Sequence, residues 1–217
     1  TGRELISATT LIGKYKKPFD KMENATRVAN REGLDIEFVL DMWEKEKNRA
    51  CDYGTSIHKV MEDYLTEEEE HESLYTSFNK WNHIFKKFPT LLCEEKLHDL
   101  DNFIAGTADL IYENKTHFMV GDFKTNKAFN FFSQYNEFML KPMDHLSVCE
   151  FNTYGLQLSL YAYLHEKSSG KKCTGCVVFY KDKENKFYPI RVNYMKKEII
   201  SLIEDYNNPN SLSSKID

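Results

Sequence analysis

Nowhere in its 217 residues does the chain have an apolar run approaching the roughly 18 residues that would cross a bilayer, and its opening, Thr1-Gly2-Arg3-Glu4, lacks a signal-peptide pattern. The expectation is a soluble, intracellular protein with no membrane partner. Five cysteines at irregular spacing do not make a disulfide framework and point to a reducing compartment. Cys173-Thr174-Gly175-Cys176 has no second Cys or Cys/His pair at matching spacing, so both read as strand-entry residues rather than ligands of a closed zinc or iron–sulfur site. A basic excess is also missing. The net charge of −5 withdraws the usual compositional sign of nucleic-acid binding without excluding it. Much of the acid lies in one run, Glu67-Glu68-Glu69-Glu70-His71-Glu72, read as a solvated helix end or loop, while Lys14, Lys16, Lys17, Lys86, Lys87, Lys124 and Lys127 could line a groove. Gly-x-x-x-x-Gly-Lys-[Ser/Thr] does not occur.

What is present suits one domain. Its expected parts are a helical cover over 1–50, a core over 52–181 and a closing strand and helix over 182–217. Apolar periodicity predicts helices near 4–12 (capped by Ser7 or Thr9), 20–31, 35–49, 52–65, 73–88, 151–167 and 195–206. Strands are expected near 91–97, 103–112, 117–125, 174–181 and 186–193, about five in all, giving an α/β chain with α+β character. Residues 207–217 read as frayed.

The chemistry centres on Gly106-Thr107-Ala108-Asp109-Leu110-Ile111-Tyr112 and Val120-Gly121-Asp122-Phe123-Lys124-Thr125. Alternation along a strand puts Asp122 and Lys124 on one face, and a hairpin turning at Glu113-Asn114-Lys115-Thr116 delivers Asp109 from the neighbouring strand. Two carboxylates and an ammonium then converge, suiting a hard divalent cation with a lysine beside it to hold an anion or a water. That is equipment for cutting a phosphodiester. Asp-x-Lys on an exposed strand is ordinary. Here both acids sit in apolar runs, Leu110-Ile111-Tyr112 and Phe118-Met119-Val120, where uncompensated charge is costly.

Other groups admit two readings. His58 flanks the apolar stripe Ile57, Val60, Met61, Tyr64 and Leu65, as a boundary histidine or as a third metal ligand brought in by close packing at Gly54. Alternation lets only one of Glu94 and Glu95 share the site's face. Gln157 and Tyr161, four apart on an otherwise apolar helix, are satisfied core groups or face the Lys124 side. The connection 126–149 carries Phe129, Phe131, Phe132, Tyr135 and Phe138, which either pack as core or lid or stack on unpaired bases.

Taken in order, Gly54/His58, Glu94 or Glu95, Gly106/Asp109, Asp122/Lys124/Thr125 and Gln157/Tyr161 resemble the RecB-like branch of the PD-(D/E)XK nuclease superfamily over residues 52–180. The resemblance implies a restriction-endonuclease-like core, a central mixed sheet flanked by helices, and Mg²⁺- or Mn²⁺-dependent hydrolysis of DNA. It implies metal ligation by His58, Asp109, Asp122 and the Phe123 carbonyl, catalysis by Lys124, and supporting roles for Gln157, Tyr161 and a glutamate, with Glu94 favoured by its spacing to Leu97. Family members with an iron–sulfur cluster carry three late cysteines that this chain lacks, so no cluster is expected. The compact form most resembles phage or viral exonucleases of recombination, repair and replication, with a single-strand annealing, helicase or replication protein as an expected partner besides DNA. The alternative is a DNA-binding scaffold of the same fold whose site has lapsed.

Overall fold

The computed structural model describes residues 4–67, 74–208 and 210. Most of the acidic run after Glu67 and most of residues 207–217 lie outside that set. Among the described residues no helix is long and apolar enough to cross a membrane.

The sheet grows outward from the expected hairpin. β3 (Ile104–Glu113) and β4 (His117–Lys124) pair antiparallel from Glu113↔Phe118 to Leu110↔Gly121. Asn114 sets the turn, its Oδ1 accepting from the backbone N–H groups of Thr116 and His117, both at 2.9 Å. β2 (Thr90–Asp99) covers the other edge of β3, antiparallel. From β4 the chain reaches β5 (Lys172–Lys181), a parallel neighbour, by way of the long helix α5 (Glu150–Ser169), as a parallel pair requires. β6 (Phe187–Val192) returns antiparallel to β5. A sixth strand, β1 (Ile6–Ser7), pairs parallel with Ile104 and Ala105 on the edge of β3 that β4 has left. The expected five strands are therefore six, because two residues show no period. Ser7 then caps α1 (Ala8–Gly13), its Oγ accepting the Thr10 N–H at 3.1 Å.

Helices cover both faces of the sheet. α5 is buried along most of its length with α1 and α6 (Lys196–Asn207) on one side. Ile57 and Met61 of α3 (Ile36–Glu67), with Phe78 and Phe85, pack on the other. α2 (Lys21–Glu32) lies on the first half of α3 over a small core of Ala25, Ala29 and Val39. Two helices are expected over 35–49 and 52–65, yet α3 runs through. Neither glycine nor proline stands between Ile36 and Cys51 to break it, and the polar stretch at 47–52 is its solvated surface. The helix expected over 73–88 is instead a short α4 (Leu74–Asn79) and a 3₁₀ turn at Asn82–Phe85. The interruption lets the Trp81 indole donate to the Phe187 carbonyl at 2.9 Å.

The 126–149 connection is irregular, with one isolated bridge, Phe138↔Ser147. Its aromatics divide. Phe129 is half-buried against Tyr154 and Tyr180, with ring centroids 5.9 and 5.7 Å away, whereas Phe132 and Tyr135 are 81% and 80% exposed. Phe129→Ala is accordingly expected to lower unfolding free energy by about 2–3 kcal/mol and Phe132→Ala by under about 0.5, as read from urea denaturation. Equal losses would contradict this division. The lysines do not form one groove either. The Lys87 carbonyl accepts from Asn114 Nδ2 at 3.2 Å, which puts Lys86 and Lys87 at the β3–β4 turn, the far end of β4 from Lys124.

Candidate metal centre

β3 and β4 part company just past Leu110↔Gly121, where Asp109 and Asp122 would form the next pair. Instead Asp109 Oδ2 accepts the Phe123 backbone N–H at 2.7 Å, so a side chain takes the place of a ladder carbonyl and the strands open around it. On the other edge of β3, Glu94 lies opposite Asp109, between Cys93↔Leu110 and Glu95↔Ala108. Glu94 has a φ of +50°, a conformation unusual for a non-glycine residue. Plain alternation slips here on both strands. Ala108 and Ile111 both join the α5-side core, as do Leu92 and Leu97, odd spacings that a regular strand would split between faces. The register thus lines up Glu94, Asp109 and Asp122 across three strands at the point where the sheet opens.

α3 adds His58, whose Nδ1 lies 3.2 Å from Asp109 Oδ2. Ligating atoms of His58, Glu94 and Asp109 all fall within 4.8 Å of one another. Gly54, one turn earlier, is not what permits this: a Cβ there would meet Thr125 Oγ1 at an ordinary 3.5 Å. Asp122 is 2% exposed. Gln157 Nε2 donates to its Oδ1 at 3.3 Å and shares itself with the Tyr161 hydroxyl at 3.1 Å. The Lys124 ammonium pairs with Asp122 Oδ2, yet among the described residues that oxygen accepts no well-formed hydrogen bond. Lys124 also lies over the Tyr154 ring, 4.9 Å from its centroid. Phe123 contributes through its backbone, its ring being buried in the α3-side core.

Electrostatics follow from this crowding. Burial first, then the charge of Asp109, pushes the Asp122 carboxyl up to about 6 against the pull of Lys124 and His58. The same two causes raise Glu94. Burial alone would lower His58, but the Asp109 hydrogen bond and charge, helped by Asp122, leave it above its ordinary value. Lys124 is likewise raised, its burial outweighed by Asp122 and Asp109. Here acids outnumber cations in a buried place. Carboxylate oxygens and an imidazole nitrogen brought this close together fit a small divalent cation.

Beside this centre a cleft of about 700 Å³ runs across the ends of β4 and β5, between the middle of α3 and the first turn of α5. Arg49, Lys124, Lys127, Lys181 and Lys183 line it against Glu46 and Asp182, a local reversal of the chain's charge. Of these only Lys124 and Lys127 were legible as candidates. Arg49, Lys181, Lys183 and the aromatic wall of Tyr53, Tyr154 and Tyr180 carry no spacing signal, because four separate elements supply them.

No family model matches the chain, and none of the curated proteins does. Among solved structures it is similar to SSO0001, at 15% identity and a TM-score of 0.44, covering 95% of this chain and 76% of that one. It is also similar to a candidate exonuclease from Eubacterium rectale, at 12% identity and a TM-score of 0.42, covering 93% and 77% respectively.

Proposed function

We propose that the protein is a divalent-cation-dependent deoxyribonuclease of the RecB-like PD-(D/E)XK type, acting as an exonuclease in recombination, repair or replication. The observation that carries this reading is the meeting of His58, Glu94 and Asp109, their ligating atoms within 4.8 Å of one another, beside buried Asp122 and its partner Lys124. His58, Glu94, Asp109, Asp122 and the Phe123 carbonyl would hold Mg²⁺ or Mn²⁺. Such a cation supplies acidification of water and neutralisation of charge on the scissile phosphate. Lys124, on the wall of the cleft, orients the attacking water or meets the charge that grows on the phosphate oxygens. Gln157 fixes the Asp122 carboxylate, and Tyr161 fixes Gln157. The lapsed-scaffold alternative is disfavoured by the complete set of His58, Asp109, Asp122 and Lys124.

The test is digestion of end-labelled single- and double-stranded DNA, linear and circular, with Mg²⁺ or Mn²⁺ and with EDTA. Loss of linear DNA only with metal, with circles resisting, is expected. An inert protein under all conditions would refute the reading. His58→Ala should raise the Mn²⁺ concentration for half-maximal cleavage by about 10–100-fold, with excess Mn²⁺ restoring activity. An unchanged titration would make His58 a boundary histidine.

A further inference from the structure

Two half-buried lysines among the described residues have a carboxylate partner: Lys124 pairs with Asp122, and Lys171 with Glu113 at 2.6 Å. Lys181, at the end of β5, is only 4% exposed and has none among the described residues. Its Nζ donates to the Asp182 carbonyl at 3.1 Å and Asn185 Oδ1 at 2.8 Å, and lies 5.1 Å from the centre of the Tyr53 ring. All three partners are neutral. The adjacent Asp182 carboxylate is engaged elsewhere, accepting the N–H groups of Glu184 at 2.8 Å and Lys186 at 2.9 Å. An ammonium withdrawn from water without a counter-charge is costly. Lys181 is nevertheless held in place by a turn built around it, on the wall of the basic cleft.

Its position says what the missing charge is. Lys181 follows Tyr180, which stands in register with Lys124 on β4. Tyr53, beneath its ammonium, precedes His58 by five helical residues, a rise of about 7.5 Å along α3. With bases rising about 3.4 Å per strand, that is about two nucleotides from the candidate metal centre. We propose that Lys181 is a phosphate receptor, holding the phosphodiester of a polynucleotide about two nucleotides from the scissile bond. This rests on the nuclease reading of the same cleft. Lys181 thereby becomes a positioning residue that favours polynucleotides over isolated diesters.

Asn185→Asp tests this without disturbing the buried lysine. Asn185 has a φ of +61°, a region where Asn and Asp are both accommodated, and the substitution presents a carboxylate to the ammonium. Expected are an unchanged or raised melting temperature and an oligonucleotide KM raised about tenfold. The slope of log binding constant against log salt should fall by about 0.7 for a single strand. Cleavage of p-nitrophenyl thymidine 5′-phosphate, which has one diester and no neighbouring phosphate, should be unaltered. Lys181→Met, keeping the apolar volume, should do the same to KM and salt slope. If both variants leave KM and salt slope at wild-type values, or if both substrates lose equally, the receptor is refuted. Should the wild type cleave neither substrate, the nuclease reading falls, while the salt slope of oligonucleotide binding still decides the receptor.

Discussion

Asp122→Asn is expected to abolish metal-dependent cleavage and yet leave the metal-free protein at least as stable as the wild type. The loss of activity follows from position. Asp122 contacts both the lysine and Gln157 beside the proposed cation site, so its replacement should reduce turnover by about 10²–10³-fold or more. Stability moves the other way because of the sign of its pKa shift. A carboxyl raised in the fold from 3.8 to about 6 opposes folding as pH rises through that window, and fully so above it. Removing the charge lifts that penalty, on the order of 1–3 kcal/mol at neutral pH at about 1.4 kcal/mol per unit, and discounted for the loss of Lys124's partner. Melting curves from pH 4 to pH 8 should show the variant's advantage growing with pH. A variant with near-normal turnover would sink the assignment of Asp122, and one that melts far below the wild type at pH 8 would contradict the electrostatics.

The second large effect is expected at Gly106, where the motif glycine has a steric cause. A Cβ there would stand 2.4 Å from Tyr161 Cε1 and 3.1 Å from Cδ1, with Ala8 Cβ at 3.5 Å behind, so the ring must move. Tyr161 is 5% exposed and has little room to move. Gly106→Ala should therefore cost about 1–3 kcal/mol of stability in urea denaturation. The displacement also reaches the site, because Gln157 Nε2 bridges Tyr161 and Asp122. A misplacement of about 1 Å is enough for a 10²-fold loss in kcat. Trimming the ring, as Tyr161→Leu, should absorb much of the stability cost of Gly106→Ala without restoring turnover. Wild-type stability and turnover in Gly106→Ala would show that the contact is not limiting.

These two residues mark how far the sequence could be read. The hairpin, its acids and Lys124 were legible because period-two apolar runs frame them and a charge inside such a run needs a partner. α5 was legible by its all-round apolarity. β1 was not, because pairing by two residues leaves no pattern, and α3 was divided because its solvated middle resembles a linker. The slip at Glu94 is invisible in sequence: nothing in a glutamate announces a positive φ, and only the packing of Leu92 and Leu97 on one side reveals it. Phe129 and Phe132 look alike in a connection without periodicity, and tertiary contacts alone separate them. Lys181 became a candidate only when β5, α3 and the Asp182–Asn185 turn were seen to meet around it without an acid.

All of this depends on a cation being held where β3 and β4 part, and calorimetric titration of Mn²⁺ into the metal-free protein measures that directly. The wild type should bind, and binding should release more protons at pH 6 than at pH 8, since Asp122 and His58, both raised, must be deprotonated to ligate. Lys124→Met should bind at least as tightly and fail only in cleavage, while Asp122→Asn should lose most of the affinity. No Mn²⁺ binding by the wild type, or equal binding by Asp122→Asn, would contradict the account.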